Sequence, residues 1–236
     1  MGKIKNLKII LNQIKNDSNL KKTLITPKAY NLKEEKMIVK AIADSNVKKD
    51  IFVFDNYNSA VFTSLIRYFN GDPDFEKGGL SLHKGLLIAG NIGSGKSIMM
   101  KIFKEYCFRR KLDHQFRIVF SDTIPDKFAR HGYDGINLYT ENSHMNNYGV
   151  YTLNPINLCI DDLGVEKETV KHFGSEETVI EKVLVSRYNL FQEGYLSHAT
   201  TNLDAKMIRN KYGDRIYSRM KEMFNFIVLK GEDRRK

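Results

Sequence analysis

Cysteine and histidine are too few and too scattered in this sequence to build a disulfide framework or a metal cluster. The two cysteines, Cys107 and Cys159, lack metal-ligand spacing, and the six histidines form no group. We interpret both cysteines as small buried apolar residues in a reducing compartment. These features argue against a disulfide-stabilised scaffold and against a zinc site.

Long apolar runs are missing as well. No run could span a bilayer, and the basic N-terminal stretch interleaves its apolar residues with Lys and Asn, unlike a signal peptide. We therefore predict a cytoplasmic protein with no membrane partner. With 236 residues, 42% of them hydrophobic, the chain suits one sizeable domain plus a short appendage.

The positive charge is unevenly distributed. The net charge is +10, and residues 1–50 hold twelve lysines and five acidic residues, which leaves 12 − 5 = +7 in that part. Two interpretations remain open. The asymmetry fits an anionic partner such as nucleic acid, and it equally fits a solvated lysine-rich face.

A glycine-rich segment, GNIGSGKS at residues 90–97, fits the pattern G-x-x-x-x-G-K-[ST]. An apolar run precedes it and a helix-like stretch follows, the setting in which backbone N–H groups and a helix N-terminus cradle phosphates. Lys96 is expected to reach the outer phosphates of ATP, and the Ser97 hydroxyl to ligate Mg²⁺. The predicted nucleotide-binding residues are Gly90, Asn91, Gly93, Ser94, Gly95, Lys96, Ser97 and Ile98.

A second set of polar residues follows two buried strands. The run LCIDD ends in Asp161 and Asp162, at the strand edge where open α/β sheets bind ligands. We expect Asp161 to hold Mg²⁺ and Asp162 to act as base or to orient water, with Glu166 as the reserve candidate for the base. The amide of Asn202, after the next strand, is placed to hydrogen-bond the γ-phosphate or the water.

A helix near residues 204–223 carries Arg215 and Arg219 on one face. An arginine at a subunit edge can complete a neighbour's site; a surface arginine paired locally is the alternative.

Strands and helices alternate after the glycine-rich loop, which predicts a parallel sheet with helices on both faces. A polar stretch over residues 142–149 predicts a loop. We divide the chain into a basic amphipathic N-terminal extension (1–30), a helical lead-in (31–84) and a P-loop core (85–236).

Five motifs, in order, resemble the AAA+ ATPases of the DnaC/DnaI-type helicase loaders and the IstB-type transposition helpers. The motifs lie within residues 80–236 and read GNIGSGKS, CIDDLGVE, ATTNL, GDRIYSRM and GEDRR. The resemblance implies that Asp161 and Asp162 take the Walker B places. It also implies that Asn202 acts as sensor 1, Arg219 as an arginine finger and Arg235 as a sensor 2-like nucleotide contact.

The resemblance also implies a P-loop AAA+ core, here with a helical N-terminal extension. Only 236 − 202 = 34 residues follow Asn202, so we expect no C-terminal helical lid, as in the loader branch. Arg187 resembles a further family arginine. Single-stranded DNA is expected to bind where initiator-type relatives carry an extra helix, at Lys127, Arg130 and His131.

The function implied is a slow ATPase, stimulated by DNA or a partner, that loads a replicative helicase onto single-stranded DNA as an ATP-dependent homo-oligomer. Three alternatives stay open. An IstB-like transposition helper would prefer duplex DNA and a transposase. A small-molecule P-loop kinase would need a lid and an acceptor pocket and would leave Asn202 without a role. A weakly hydrolysing, nucleotide-gated DNA-binding module would fit Asp162, whose side chain is shorter than the Glu that many AAA+ proteins carry at that place.

Overall fold

The computed structural model describes residues 25, 27–46, 54–145, 151–173, 175–231 and 233. The predicted amphipathic helix of the N-terminal extension and Arg235 lie outside these residues, so both remain predictions. Within the described part of the chain, no helix is long and apolar enough to cross a membrane.

Six α-helices, two short 3-10 helices (Pro73–Gly78 and Asn137–Tyr139) and nine strands follow one another in the described residues. The helices are α1 (Leu32–Asn46), α2 (Ser59–Phe69), α3 (Lys96–Arg109), α4 (Thr123–Ile136), α5 (Val179–Gln192) and α6 (Ala205–Met223). The strands are β1 (Gly85–Ala89), β2 (Arg117–Phe120), β3 (Ser143–Met145), β4 (Tyr151–Leu153), β5 (Leu158–Leu163), β6 (Val170–His172), β7 (Ser175–Glu177), β8 (Ser197–Thr201) and β9 (Phe224–Val228).

The core is a five-stranded sheet in the order β2-β5-β8-β1-β9, with every pair parallel. Its central strands are almost continuously buried, as expected when helices cover both faces. The carboxyl ends of β5, β8 and β1 therefore lie side by side at one edge. The predicted parallel sheet flanked by helices is confirmed.

Two hydrophobic layers cover the sheet. One, the α3 layer, joins α1, α2 and α3 to the sheet residues Leu86, Ile88 and Cys159. The other, the α5 layer, joins α4, α5 and α6 to Leu87, Ile160 and Leu163. The helices before residue 84 thus share a core with the P-loop helix, which fixes the base of the loop.

Two short hairpins stand outside this sheet. Strands β3 and β4 pair antiparallel, with Ser143 opposite Leu153, so the start of the stretch predicted as a loop is a strand instead. Strands β6 and β7 form the second hairpin. Each strand has three residues, too few for the alternation of apolar and polar side chains to identify it.

Two histidines are buried among aromatic rings at the opposite end of β8 from its carboxyl end. His198 is fully buried and packs on Phe69 and Phe116, and His114 stacks on Phe69. His198 Nδ1 accepts a hydrogen bond of 3.1 Å from the Leu86 N–H. Burial lowers the pKa of His198 to about 3 and that of His114 to about 4, so both rings are neutral in the folded protein.

These histidines predict acid sensitivity. In the unfolded chain both titrate near pH ~6.5, so the unfolded state binds protons first, and the free energy of unfolding falls as the pH drops from ~6.5 toward ~4. Above that window the effect vanishes. In chemical denaturation, the free energy of unfolding of His114→Phe should fall by roughly 2 kcal/mol less than that of the parent between pH ~6.5 and ~4.5. Substitution of the exposed His83 by Gln should leave the loss as in the parent; equal losses in all three proteins would contradict the assignment.

Candidate nucleotide-binding site

The glycine-rich segment connects β1 to α3, as the sequence predicts. Gly95 precedes the helix at φ 99°, in the left-handed region that a side chain disfavours, and Gly93 lies there too at φ 74°. The helix begins at Lys96, so its unpaired N–H groups face the loop. This is the arrangement in which a backbone cradle and a helix N-terminus bind an anion.

The ammonium of Lys96 joins the loop to the neighbouring strand. Its Nζ donates to the carbonyl oxygens of Gly90 (2.9 Å) and Asn91 (2.8 Å) and to Oδ1 of Asn202 (2.5 Å). The side chain is buried. Two residues that the sequence places 106 positions apart therefore meet in one site.

Asp161 is suited to hold a cation. It is fully buried at the carboxyl edge of β5, and its Oδ1 accepts a hydrogen bond of 2.5 Å from the Thr200 hydroxyl. Its Oδ2 is buried and has no hydrogen-bond partner among the described residues. A buried, unpaired carboxylate oxygen is costly, and a cation such as Mg²⁺, directly or through its water, would satisfy it. Asp161 and Ser97 are the side chains here that would hold that ion.

Asp162 lies in a bulge of β5. Its N–H donates to Thr200 Oγ1 (2.9 Å), and its carbonyl oxygen accepts from the Ser121 hydroxyl (2.7 Å). Its φ is 55°, in the left-handed region that aspartate tolerates better than most residues. Both backbone groups are fixed, and the side chain stays half-buried at the edge of the sheet.

Glu166, the reserve candidate for the base, is bound within the fold. One carboxylate oxygen accepts from the Tyr212 hydroxyl (2.5 Å) and the other from the Gly164 N–H (2.7 Å). Burial and this carboxylate raise the pKa of Tyr212, which keeps the phenol protonated as a donor. The contacts tie α6 to the loop after β5, a positioning role that uses both oxygens of Glu166.

Arg219 lies on α6 and packs against Tyr188 of α5. Its guanidinium is 5.0 Å from the centroid of the Tyr188 ring, and its Nη1 has no hydrogen-bond partner among the described residues. Gly213, at φ 77°, interrupts α6 and lets a new helical segment carry Arg215 and Arg219. Arg215 is exposed, whereas Arg219 is half-buried.

The predicted DNA contacts lie on α4. Arg130 and His131 are exposed. Lys127 is half-buried and donates to the Tyr139 hydroxyl at 2.5 Å, so part of its bonding capacity is used within the fold. Arg130 and His131 are the more accessible of the three.

Arg187 lies away from this site. It is fully buried, and its guanidinium donates to Ser197 Oγ and to the carbonyls of Ile156 and Leu196, each at 2.8 Å. Burial lowers its pKa to about 10. Ser197 begins β8, so Arg187 ties α5 to the edge of the sheet opposite the P-loop.

The chain after β9 runs back over the P-loop. The Leu229 N–H donates to the Ala89 carbonyl (2.8 Å), and a Cβ added to Gly93 would lie 1.8 Å from Asp233 Oδ1. Asp233 and Thr200 are neighbours of the site that the sequence did not indicate. The available signal for Thr200 was that β8, a central buried strand, reads SHATT and carries four polar residues.

Lys96 provides the direct test of the site. Lys96→Ala should weaken ATP binding on the order of 10- to 100-fold, because it removes a charge-assisted contact of about 1.5–3 kcal/mol. Titration with a fluorescent ATP analogue measures the affinity. Lys101, on the same helix and stacked on Phe120, is the matched control, and Lys101→Ala should bind like the parent. Parental affinity in a folded Lys96→Ala protein would refute the assignment.

Solved structures of other proteins share this architecture. The DnaC helicase loader is 18% identical, with a TM-score of 0.52 over 76% of this chain and 93% of its own. A protein described as a primosome component, from Streptococcus pyogenes serotype M3, is 16% identical, with a TM-score of 0.54 over 85% of this chain and 99% of its own. No protein-family model and no curated protein matches the sequence.

At these identities the likeness is one of fold. In this chain that fold consists of the parallel sheet, the loop after β1 and the helices on both faces. No helix follows β9 in the part of the chain that the structure describes. The chain has the α/β fold of a P-loop AAA+ ATPase core.

Proposed function

We propose that this protein binds and hydrolyses ATP and loads a replicative helicase onto single-stranded DNA. The observation that carries the nucleotide part is the contact of Lys96 with Asn202. It joins the phosphate-binding loop to the strand that also holds Asp161 through Thr200. A loop, a lysine, an amide and two carboxylates at one sheet edge are the parts that phosphoryl transfer from a nucleotide requires.

In the proposed reaction the loop and Lys96 bind the β- and γ-phosphates, which the ammonium reaches by exchanging carbonyl for phosphate oxygens. Ser97 and Asp161 would hold Mg²⁺, and the bound ion would supply positive charge beside the phosphates. Asn202 and Asp162 orient the attacking water, and Asp162 accepts its proton. Both oxygens of Glu166 are engaged by Tyr212 and Gly164, which favours Asp162 over Glu166 for this role.

The helicase-loading part rests on the fold, the charge and the exposed basic residues together. The DnaC helicase loader has the same fold over most of both chains. The net charge of +10 favours an anionic partner. Arg130 and His131 present cationic and aromatic groups on α4, where the fold leaves them open to a nucleic acid.

An arginine finger acting between subunits would distinguish an AAA+ ATPase from a monomeric binding module. Arg219→Ala should bind ATP like the parent and hydrolyse it slowly, because the finger contributes several orders of magnitude in rate. Mixing it with Lys96→Ala protein should restore activity at shared interfaces. Phosphate release measures both.

The exposed Arg215, four residues earlier on the same helix, is the matched control, and Arg215→Ala should hydrolyse ATP normally. Full activity of Arg219→Ala alone would reject the finger and favour a nucleotide-gated monomer.

The loading function is tested by association. The protein with ATP bound, immobilised on beads, should retain a replicative helicase and transfer it to single-stranded DNA. The affinity of the protein itself for single-stranded DNA should fall steeply as the salt concentration rises. Replacing both residues with glutamate, Arg130→Glu with His131→Glu, should weaken DNA binding and flatten its salt dependence by about one unit of slope, because the arginine contact is lost. Charge reversal of the exposed Lys77, which lies before β1, should do neither. If the protein instead captures a transposase and prefers duplex DNA, helicase loading is wrong and the transposition-helper function takes its place.

A further inference from the structure

We propose that Thr200 is a positioning residue at the carboxyl edge of the sheet, where Asp161 and Ser97 would hold Mg²⁺. It holds Asp161 and Asp162 in the arrangement that makes nucleotide binding depend on Mg²⁺. The inference rests on the proposed function, since it concerns how Asp161 meets the ion.

One hydroxyl serves both aspartates. Thr200 Oγ1 donates to Asp161 Oδ1 at 2.5 Å and accepts from the Asp162 N–H at 2.9 Å. A backbone N–H can only donate, so the Thr200 hydroxyl must use its single proton on Asp161. The direction of both bonds is therefore fixed, and the hydroxyl cannot rotate to another partner without losing one of them.

The consequence for Asp161 is an assignment of its two oxygens. Oδ1 is occupied by Thr200, and Oδ2 has no hydrogen-bond partner among the described residues. The carboxylate is fully buried, so turning its plane about the Cβ–Cγ bond would break the hydrogen bond to Thr200 and offer no other partner among the described residues. Thr200 thereby fixes the plane of the carboxylate and the position at which its second oxygen is presented to a ligand.

The bulge in β5 explains why a single residue faces two. Ile160 pairs with Ala199 and Leu163 with Thr201, so Asp161 and Asp162 together oppose Thr200. Ile160 and Leu163 both belong to the α5 layer, although regular alternation would place residues three apart on opposite faces. The extra residue lets both aspartates leave that core, as bulges beside active sites do.

Ser121, the residue directly after β2, fixes the same bulge from the other side. Ser121 donates its N–H to the Asp161 carbonyl (2.9 Å) and its hydroxyl to the Asp162 carbonyl (2.7 Å). These contacts hold backbone atoms only. Within the described residues, Thr200 is the side chain whose hydrogen bond reaches the Asp161 carboxylate itself. Removing its hydroxyl should therefore loosen the carboxylate and keep the strand.

The test compares ATP affinity with Mg²⁺ and with EDTA, measured by fluorescence titration on the full chain. Thr200→Val keeps the shape and removes the hydroxyl. It should reduce the gain in affinity that Mg²⁺ gives by on the order of tenfold, the value of a charge-assisted hydrogen bond, and leave the affinity in EDTA unchanged. Thr200→Ser, which restores the hydroxyl, should recover the parental gain.

Two controls separate positioning from stability and from the proposed function. Ser197→Ala removes a buried hydroxyl at the opposite end of β8; it should lower the melting temperature and leave the gain from Mg²⁺ unchanged. Asp161→Asn should abolish that gain. If Asp161→Asn abolishes it and Thr200→Val does not, positioning by Thr200 is wrong and the metal site stands. A parental gain in Asp161→Asn would reject the metal site itself, and positioning with it. Should Thr200→Val not fold, Thr200→Cys decides by the same criterion.

Discussion

The ammonium of Lys96 is the interaction on which the site depends. Its three protons meet three oxygens, two from the loop it follows and one from Asn202. A buried ammonium with fewer partners would be costly, so loop and strand must come together for the side chain to be buried at all. The same requirement makes Lys96 ready for exchange, because phosphate oxygens can replace carbonyl oxygens without leaving the charge unpaired.

Strand β8 has a different task at each end. At its start, Ser197 and the Arg187 guanidinium close the sheet against α5 with neutral acceptors only, and His198 is held neutral in an aromatic core. At its end, Thr200 and Asn202 serve the carboxylate and the ammonium of the site. The polar cluster around Arg187 and the candidate nucleotide-binding site thus lie at opposite ends of a strand of five residues.

Motifs contiguous in sequence were the most predictable part of the site. The loop residues and the strands before Asp161 and Asn202 followed from local pattern and from the parallel sheet. The bulge that turns Asp162 out of the core did not, because one extra residue leaves no periodic trace. Burial of Arg187 was equally hidden, since two of its three acceptors are backbone carbonyls that every sequence contains. The two hairpins are too short and too polar to be recognised by alternation.

The chain segment that returns over the P-loop affects how genetic tolerance at Gly93 should be interpreted. A methyl group there would overlap the Asp233 carboxylate at 1.8 Å, and the backbone already has a φ of 74°. Alanine would therefore collide with the protein's own tail before any nucleotide entered. Intolerance of substitution at this position is a property of the polypeptide itself, and a defective Gly93 variant would not by itself be a fingerprint of phosphate binding.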